Sequence, residues 1–88
     1  MDYEEFEKAV DMFGILTRVS KKDLKKKYLK LSKIYHPDMQ TGSEEKFMEL
    51  KKSYDLLCAY MDSYYYSFDK DEFRHQFPAF TNYKNWYK

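Results

Sequence analysis

The sequence predicts an all-α fold built on a helical hairpin, and three observations carry that prediction. Leu24, Tyr28, Leu31 and Tyr35 recur at i, i+4, i+7 and i+11, one apolar stripe on a helix. Phe47, Leu50, Tyr54, Leu57 and Met61 follow with steps of three and four, the rhythm of a helix packed lengthwise on another. Between the two stripes lies a short segment, residues 36–43 (HPDMQTGS), which brings the helices back antiparallel as a hairpin. A short N-terminal helix, a short C-terminal helix and an aromatic tail complete the predicted architecture.

The first helix is predicted over residues 3–13. Phe6, Val10 and Phe13 form its stripe, flanked by Ala9 and Met12. Asp2, Glu4, Glu5 and Glu7 favour the positive end of its dipole, and Gly14 suits the position just past its end. In the loop 14–19, Ile15 and Val19 are expected to fold back on the core and Arg18 to be solvated.

Ser20 followed by Asp23 resembles a capping box, with Asp where Glu or Gln is usual, so the second helix should begin there. Proline disfavours the α conformation in the residue before it, so Pro37 ends this helix near Tyr35 or His36. Ser43 is the expected N-cap of a third helix running from about Glu44 to Tyr60 or beyond. Ser67 or Asp69 could cap a fourth helix over residues 70–76, burying Phe73 and Phe77 before Pro78 stops it. Residues 1–62 read as the core and 63–88 as an aromatic C-terminal extension packed on it.

A chain of 88 residues is one small domain, of the size class that is only marginally stable. Its net charge of +1 hides a polarity. Residues 21–35 carry seven lysines and one aspartate, so the remainder carries five excess negative charges. Such a chain presents a positive face to an acidic partner without being basic throughout. Nothing approaches the roughly 20 apolar residues of a membrane span. The acidic opening is unlike a signal peptide, and Cys58 has no second cysteine to pair with. A cytoplasmic, reducing location is expected.

Catalysis is not expected. His36 and Asp38 could touch, but no Ser or Cys nucleophile is placed with them, and His36, His75 and the carboxylates lack metal-ligand spacing. Gly14 and Gly42, the only glycines, form no phosphate-binding loop. No cofactor and no metal are predicted.

The basic helix, ending in His36-Pro37-Asp38, resembles that of the J-domain co-chaperones related to DnaJ, and the likeness extends well beyond the tripeptide. Phe13-Gly14-Ile15, then Val19 and Leu24, stand where that family has Leu-Gly-Val, a small apolar residue and an Ile or Leu. Lys27-Tyr28 and Leu31 match its Ala-Tyr and Leu. Phe47, Leu50, Ser53-Tyr54 and Leu57 match its Phe, Ile, Ala-Tyr and Leu. The resemblance covers roughly residues 8–60. It implies docking on a seventy-kilodalton heat-shock chaperone of the DnaK type, at its nucleotide-binding domain and interdomain linker, and stimulation of its ATP hydrolysis.

By that resemblance Lys25, Lys26, Lys30 and Lys33 supply the electrostatic docking. Asp38 meets a chaperone arginine, His36 orients the loop and contacts the chaperone, and Pro37 sets the loop backbone. Leu29 stands where the family commonly has Lys or Arg, which implies an apolar or shifted contact. Met48 replaces a common lysine, and the Lys-Arg pair that many relatives carry after the third helix is missing from residues 61–68. These departures imply a weaker docking or one tuned to a particular chaperone.

The alternative on charge alone is a small basic-helix nucleic-acid-binding domain. The lysine helix has no Arg, Asn or Gln to read base edges, and the acids elsewhere would repel a polyanion, so no nucleic acid is expected. The aromatic tail, with Tyr64, Tyr65, Tyr66, Phe68, Phe80, Tyr83, Trp86 and Tyr87, is read first as apolar burial for a small core. A surface for a client or second protein is the other reading.

Overall fold

Four helices form among the described residues, and the reasons are local before they are tertiary. The computed structural model describes residues 1–78. Helix α1 (Tyr3–Phe13) carries Glu4 and Glu5 in its first turn and stops at Gly14, which is left-handed at φ 63°. The Gly14 N–H donates to the Asp11 carbonyl and the Ile15 N–H to the Val10 carbonyl, both at 3.1 Å. That pair is a Schellman stop, and glycine reaches its backbone conformation without a Cβ penalty.

Helix α2 (Lys21–Tyr35) starts in the capping box expected from Ser20 and Asp23. The Asp23 N–H donates to Ser20 Oγ at 3.1 Å, and the Ser20 N–H reaches Asp23 Oδ2 at 3.5 Å. Helix α3 (Glu44–Asp62) is capped by Ser43, whose Oγ accepts from the Lys46 N–H at 3.3 Å. Helix α4 (Lys70–Gln76) is capped by Asp69. Asp69 accepts from the Ser67 hydroxyl at 2.6 Å and the Glu72 N–H at 2.8 Å, which together hold its carboxyl below the usual range.

The hairpin is antiparallel, as predicted, and it is tied at both ends. At one end the Ser43 N–H donates to the Tyr35 carbonyl at 3.1 Å. At the other, Lys21 Nζ meets Asp62 Oδ1 at 2.6 Å. The Asp62 hydrogen bond and charge raise the Lys21 pKa. Helix α1 packs across the hairpin against both α2 and α3. Where the three meet, Ala9, Phe13, Leu24, Leu50 and Leu57 are buried, Leu24 and Leu50 completely. Tyr28 and Tyr54 stack at 4.2 Å between ring centroids, 16° from parallel, and seal one side of that core.

Three expectations are corrected. Phe47 does not join the buried core; it stays half-buried at the start of α3 and packs against His36. Helix α4 buries neither of its phenylalanines: Phe73 is half-buried and Phe77 is 49 % exposed, the two rings lying 5.3 Å apart. Seven residues make only two turns, and among the described residues α4 makes no extensive contact with the other helices. Arg18 is more than a solvated charge, because its guanidinium comes within 3.8 Å of Glu72 and links the first loop to α4. The tail residues Phe80, Tyr83, Trp86 and Tyr87 lie outside the described residues.

Candidate functional site at the loop between α2 and α3

Pro37 and the geometry around it make the loop 36–43 a closed structure. His36 leaves α2 at φ −56°, ψ 134°, the extended conformation that a following proline imposes. The chain then turns twice: the Met39 N–H donates to the His36 carbonyl and the Gly42 N–H to the Met39 carbonyl, each at 2.9 Å. Thr41 Oγ1 donates to the Ile34 carbonyl at 2.8 Å, satisfying an acceptor that the end of α2 leaves without an intrahelical partner. The chain passes so tightly that a Cβ on Gly42 would overlap the His36 carbonyl and lie 2.9 Å from that of Met39.

Within this loop His36 Nδ1 accepts from the Asp38 backbone N–H at 3.2 Å. A neutral imidazole accepting at Nδ1 carries its proton on Nε2. The imidazole stands edge-on to Phe47, centroids 5.4 Å apart and planes at 69°. The first turn of α3 therefore backs the ring that the end of α2 presents. The Asp38 carboxylate lies 3.6 Å from Nδ1 and its side chain is 89 % exposed. It is held by its backbone and open to solvent on its charged side.

The outer face of α2 adjoins this loop. Lys25, Lys26, Leu29, Lys30 and Lys33 are all exposed. Among the described residues none of these four lysines pairs with a carboxylate, whereas Lys21 is taken up by Asp62. Asp23, the one acid of α2, is occupied in the N-terminal cap. The result is an unneutralised cationic strip leading to the carboxylate of Asp38.

The family model described as the DnaJ domain matches residues 10–62, more than half of the chain. This chain belongs to the DnaJ-domain family. Its relatives include the chaperone protein DnaJ of Bacillus licheniformis, 39 % identical over 70 residues, which cover 77 % of this chain and 18 % of that protein. Those of Bacillus velezensis and Staphylococcus carnosus are each 45 % identical over 49 residues, 53 % of this chain and 13 % of theirs. The chain thus spans less than a fifth of the length of these relatives. No solved structure matches.

In this DnaJ domain the predicted site residues fall into two adjoining groups, the loop residues His36, Pro37 and Asp38 and the α2 residues Lys25, Lys26, Leu29, Lys30 and Lys33. A cavity of about 680 Å³ among the described residues is elsewhere. It opens at the far end of the hairpin, between Phe6, Val10, Leu24, Leu57 and Met61, and none of the site residues lines it. No helix among the described residues is long and apolar enough to cross a membrane.

Three residues that support the loop escaped the sequence reading as supports. Phe47 was legible as an apolar residue, and its place in the first turn after the loop was the available signal of a contact with the loop. Thr41 and Gly42 were legible only as turn formers, because neither the capping bond to Ile34 nor the close approach to His36 has a sequence signature.

Proposed function

We propose that this DnaJ domain is a co-chaperone that docks on a DnaK-type heat-shock chaperone and stimulates its ATP hydrolysis. The observation that carries the reading is the position of Asp38, a solvent-facing carboxylate on a loop closed by backbone bonds, at the end of an unneutralised lysine face. Lys25, Lys26, Lys30 and Lys33 steer the domain to an acidic surface of the chaperone's nucleotide-binding domain, and Leu29 lies among them in the contact. Steering by such charges acts mainly on the association rate. Asp38 then makes a charge-assisted pair with a chaperone arginine near the interdomain linker. His36 holds the Asp38 backbone through Nδ1 and carries its donor on Nε2, and Pro37 fixes the exit from α2.

In this reading residues 1–62 are the working unit, residues 63–88 are an extension of it, and the domain works in the cytoplasm. Tyr65 and Phe68, each 95 % exposed, favour a second contact there with a client or another protein. Nucleic acid has no part in it, since α2 offers no Arg, Asn or Gln to a base edge.

The test is single-turnover ATP hydrolysis by DnaK-type chaperones from several sources, with this chain and with His36→Gln. Stimulation by the unchanged chain and none by the variant is the expected result. No stimulation of any of them by the unchanged chain would overturn the proposal.

A further inference from the structure

The lysine face of α2 has an apolar centre. Leu29 is 48 % exposed and is absent from the residues that pack on the core. It lies on the side of the helix turned away from the buried Leu24. Its helical neighbours at three and four residues are Lys25, Lys26, Ser32 and Lys33. The Ser32 hydroxyl donates back to the Leu29 carbonyl at 2.8 Å, so it is already engaged within the helix. The aliphatic stems of Lys25, Lys26 and Lys33 extend the apolar surface of Leu29, while their ammonium groups reach beyond it.

An isolated exposed leucine is ordinary on a protein surface. This one differs in its surroundings, because the cations that frame it have no carboxylate partner among the described residues. A partner that neutralises those cations must bring its own surface against Leu29. A uniformly acidic surface would then lose hydration at a carboxylate facing a leucine and gain no ion pair in return. An apolar socket edged by carboxylates loses nothing there.

We infer that Leu29 is the specificity determinant of the α2 face, selecting a partner surface in which an apolar socket is walled by carboxylates. This rests on the docking reading above and adds to it the chemistry of the surface that is preferred. The division of labour is kinetic: the lysines set the association rate, and Leu29, packed only after docking, sets the dissociation rate.

The experiment titrates the chain and its Leu29→Ala, Leu29→Met and Leu29→Lys variants against the DnaK-type chaperone that the unchanged chain stimulates most. Half-saturating concentration, maximal stimulation and the two binding rates are read separately. Leu29→Ala should raise the half-saturating concentration about five- to tenfold, the scale of burying only the exposed half of one leucine side chain. The change should lie in dissociation, and the plateau should be retained. Leu29→Met should restore binding, being apolar and of similar volume. Leu29→Lys should bind no better than Leu29→Ala despite its added charge.

An unchanged half-saturation for Leu29→Ala, or tighter binding by Leu29→Lys, would overturn the inference and leave the docking reading standing. If the unchanged chain stimulates no chaperone, both fall together.

Discussion

The carbonyl oxygen of His36 lies so close to the α-carbon of Gly42 that no side chain fits between them. Gly42 is needed for space there, not for a left-handed backbone, since Gly14 is the residue with positive φ among those described. The obstruction is backbone, which cannot swing aside as a side chain can. Gly42→Ala is therefore expected to open the loop 36–43 and to cost roughly 1–3 kcal/mol, the usual range for forced overpacking. Chemical denaturation measures the cost. Loss of stimulation greater than the loss of folded protein would show that the closed loop is what the chaperone reads.

Asp38→Asn separates charge from conformation. The backbone N–H that donates to His36 Nδ1 is unchanged by the substitution, and the side chain is almost fully exposed. Stability is expected to stay within about 0.5 kcal/mol, as for most surface changes. Stimulation should be abolished in the single-turnover assay. A variant that still stimulates fully would remove Asp38 from the mechanism.

Reversing Lys25, Lys26 and Lys30 to Glu is expected to slow association and flatten its dependence on salt. The charges are exposed, so screening acts on them fully, with a Debye length of about 8 Å at physiological ionic strength. Stopped-flow association rates across a salt series give the slope. An unchanged slope would place the electrostatic contact elsewhere on the domain.

The stack of Tyr28 on Tyr54 should dominate the side of the core away from the cavity. Tyr54 also faces Phe13, with ring centroids 6.3 Å apart. Because Tyr54 is half-buried, Tyr54→Ala is expected to cost roughly 2–3 kcal/mol, below the 3–5 typical of a fully buried aromatic. Tyr54→Phe keeps the ring and should cost much less. Thermal melts of the two variants provide the comparison.

Alkaline pH should weaken the fold through the same region. Burial raises the Tyr54 pKa above 10.0, with the neighbouring Cys58 adding to it, and Asp62 raises that of Lys21 above 10.5. Both groups hold their protons more tightly folded than unfolded. Their contribution is complete below the unfolded values and is lost as pH rises through the folded ones. Melting temperature should fall from about pH 10 upward, on the ordinary tyrosine and lysine values. Tyr54→Phe and Lys21→Met should each make that fall shallower.

How much of this was legible beforehand differs by element, and the reason is range. The starts and stops of the helices are short-range chemistry. The Ser20–Asp23 box, the Ser43 cap, the left-handed Gly14 and the restriction ahead of Pro37 each act over three or four residues, and each formed as the sequence predicts. Of the two candidate caps of α4, Ser67 and Asp69, it is Asp69 that caps it. The two stripes settled which faces of α2 and α3 meet, because their period matches the helix. The lysine face needed no fold at all, since residues opposite a buried stripe point outward.

What the tertiary structure decided lies where segments distant in sequence touch. Phe47 had the apolar character and spacing of a core residue, yet it stands at the loop end of the stripe, where it meets the His36 ring. Periodicity reports a face, not the depth at which a residue sits along it. Arg18 finds Glu72 across more than fifty residues, and Lys21 finds Asp62 across forty-one. The fourth helix was placed correctly, but Phe73 on it and Phe77 just past its end were not core residues, because two turns of helix carry no instruction about where to dock. The sequence by itself determined the helices, the hairpin and the exposed loop with its basic approach. The closure of that loop around Gly42, the ring that backs His36 and the lysine that is spent on Asp62 were decided by tertiary packing, since each depends on a distance that only the folded chain defines.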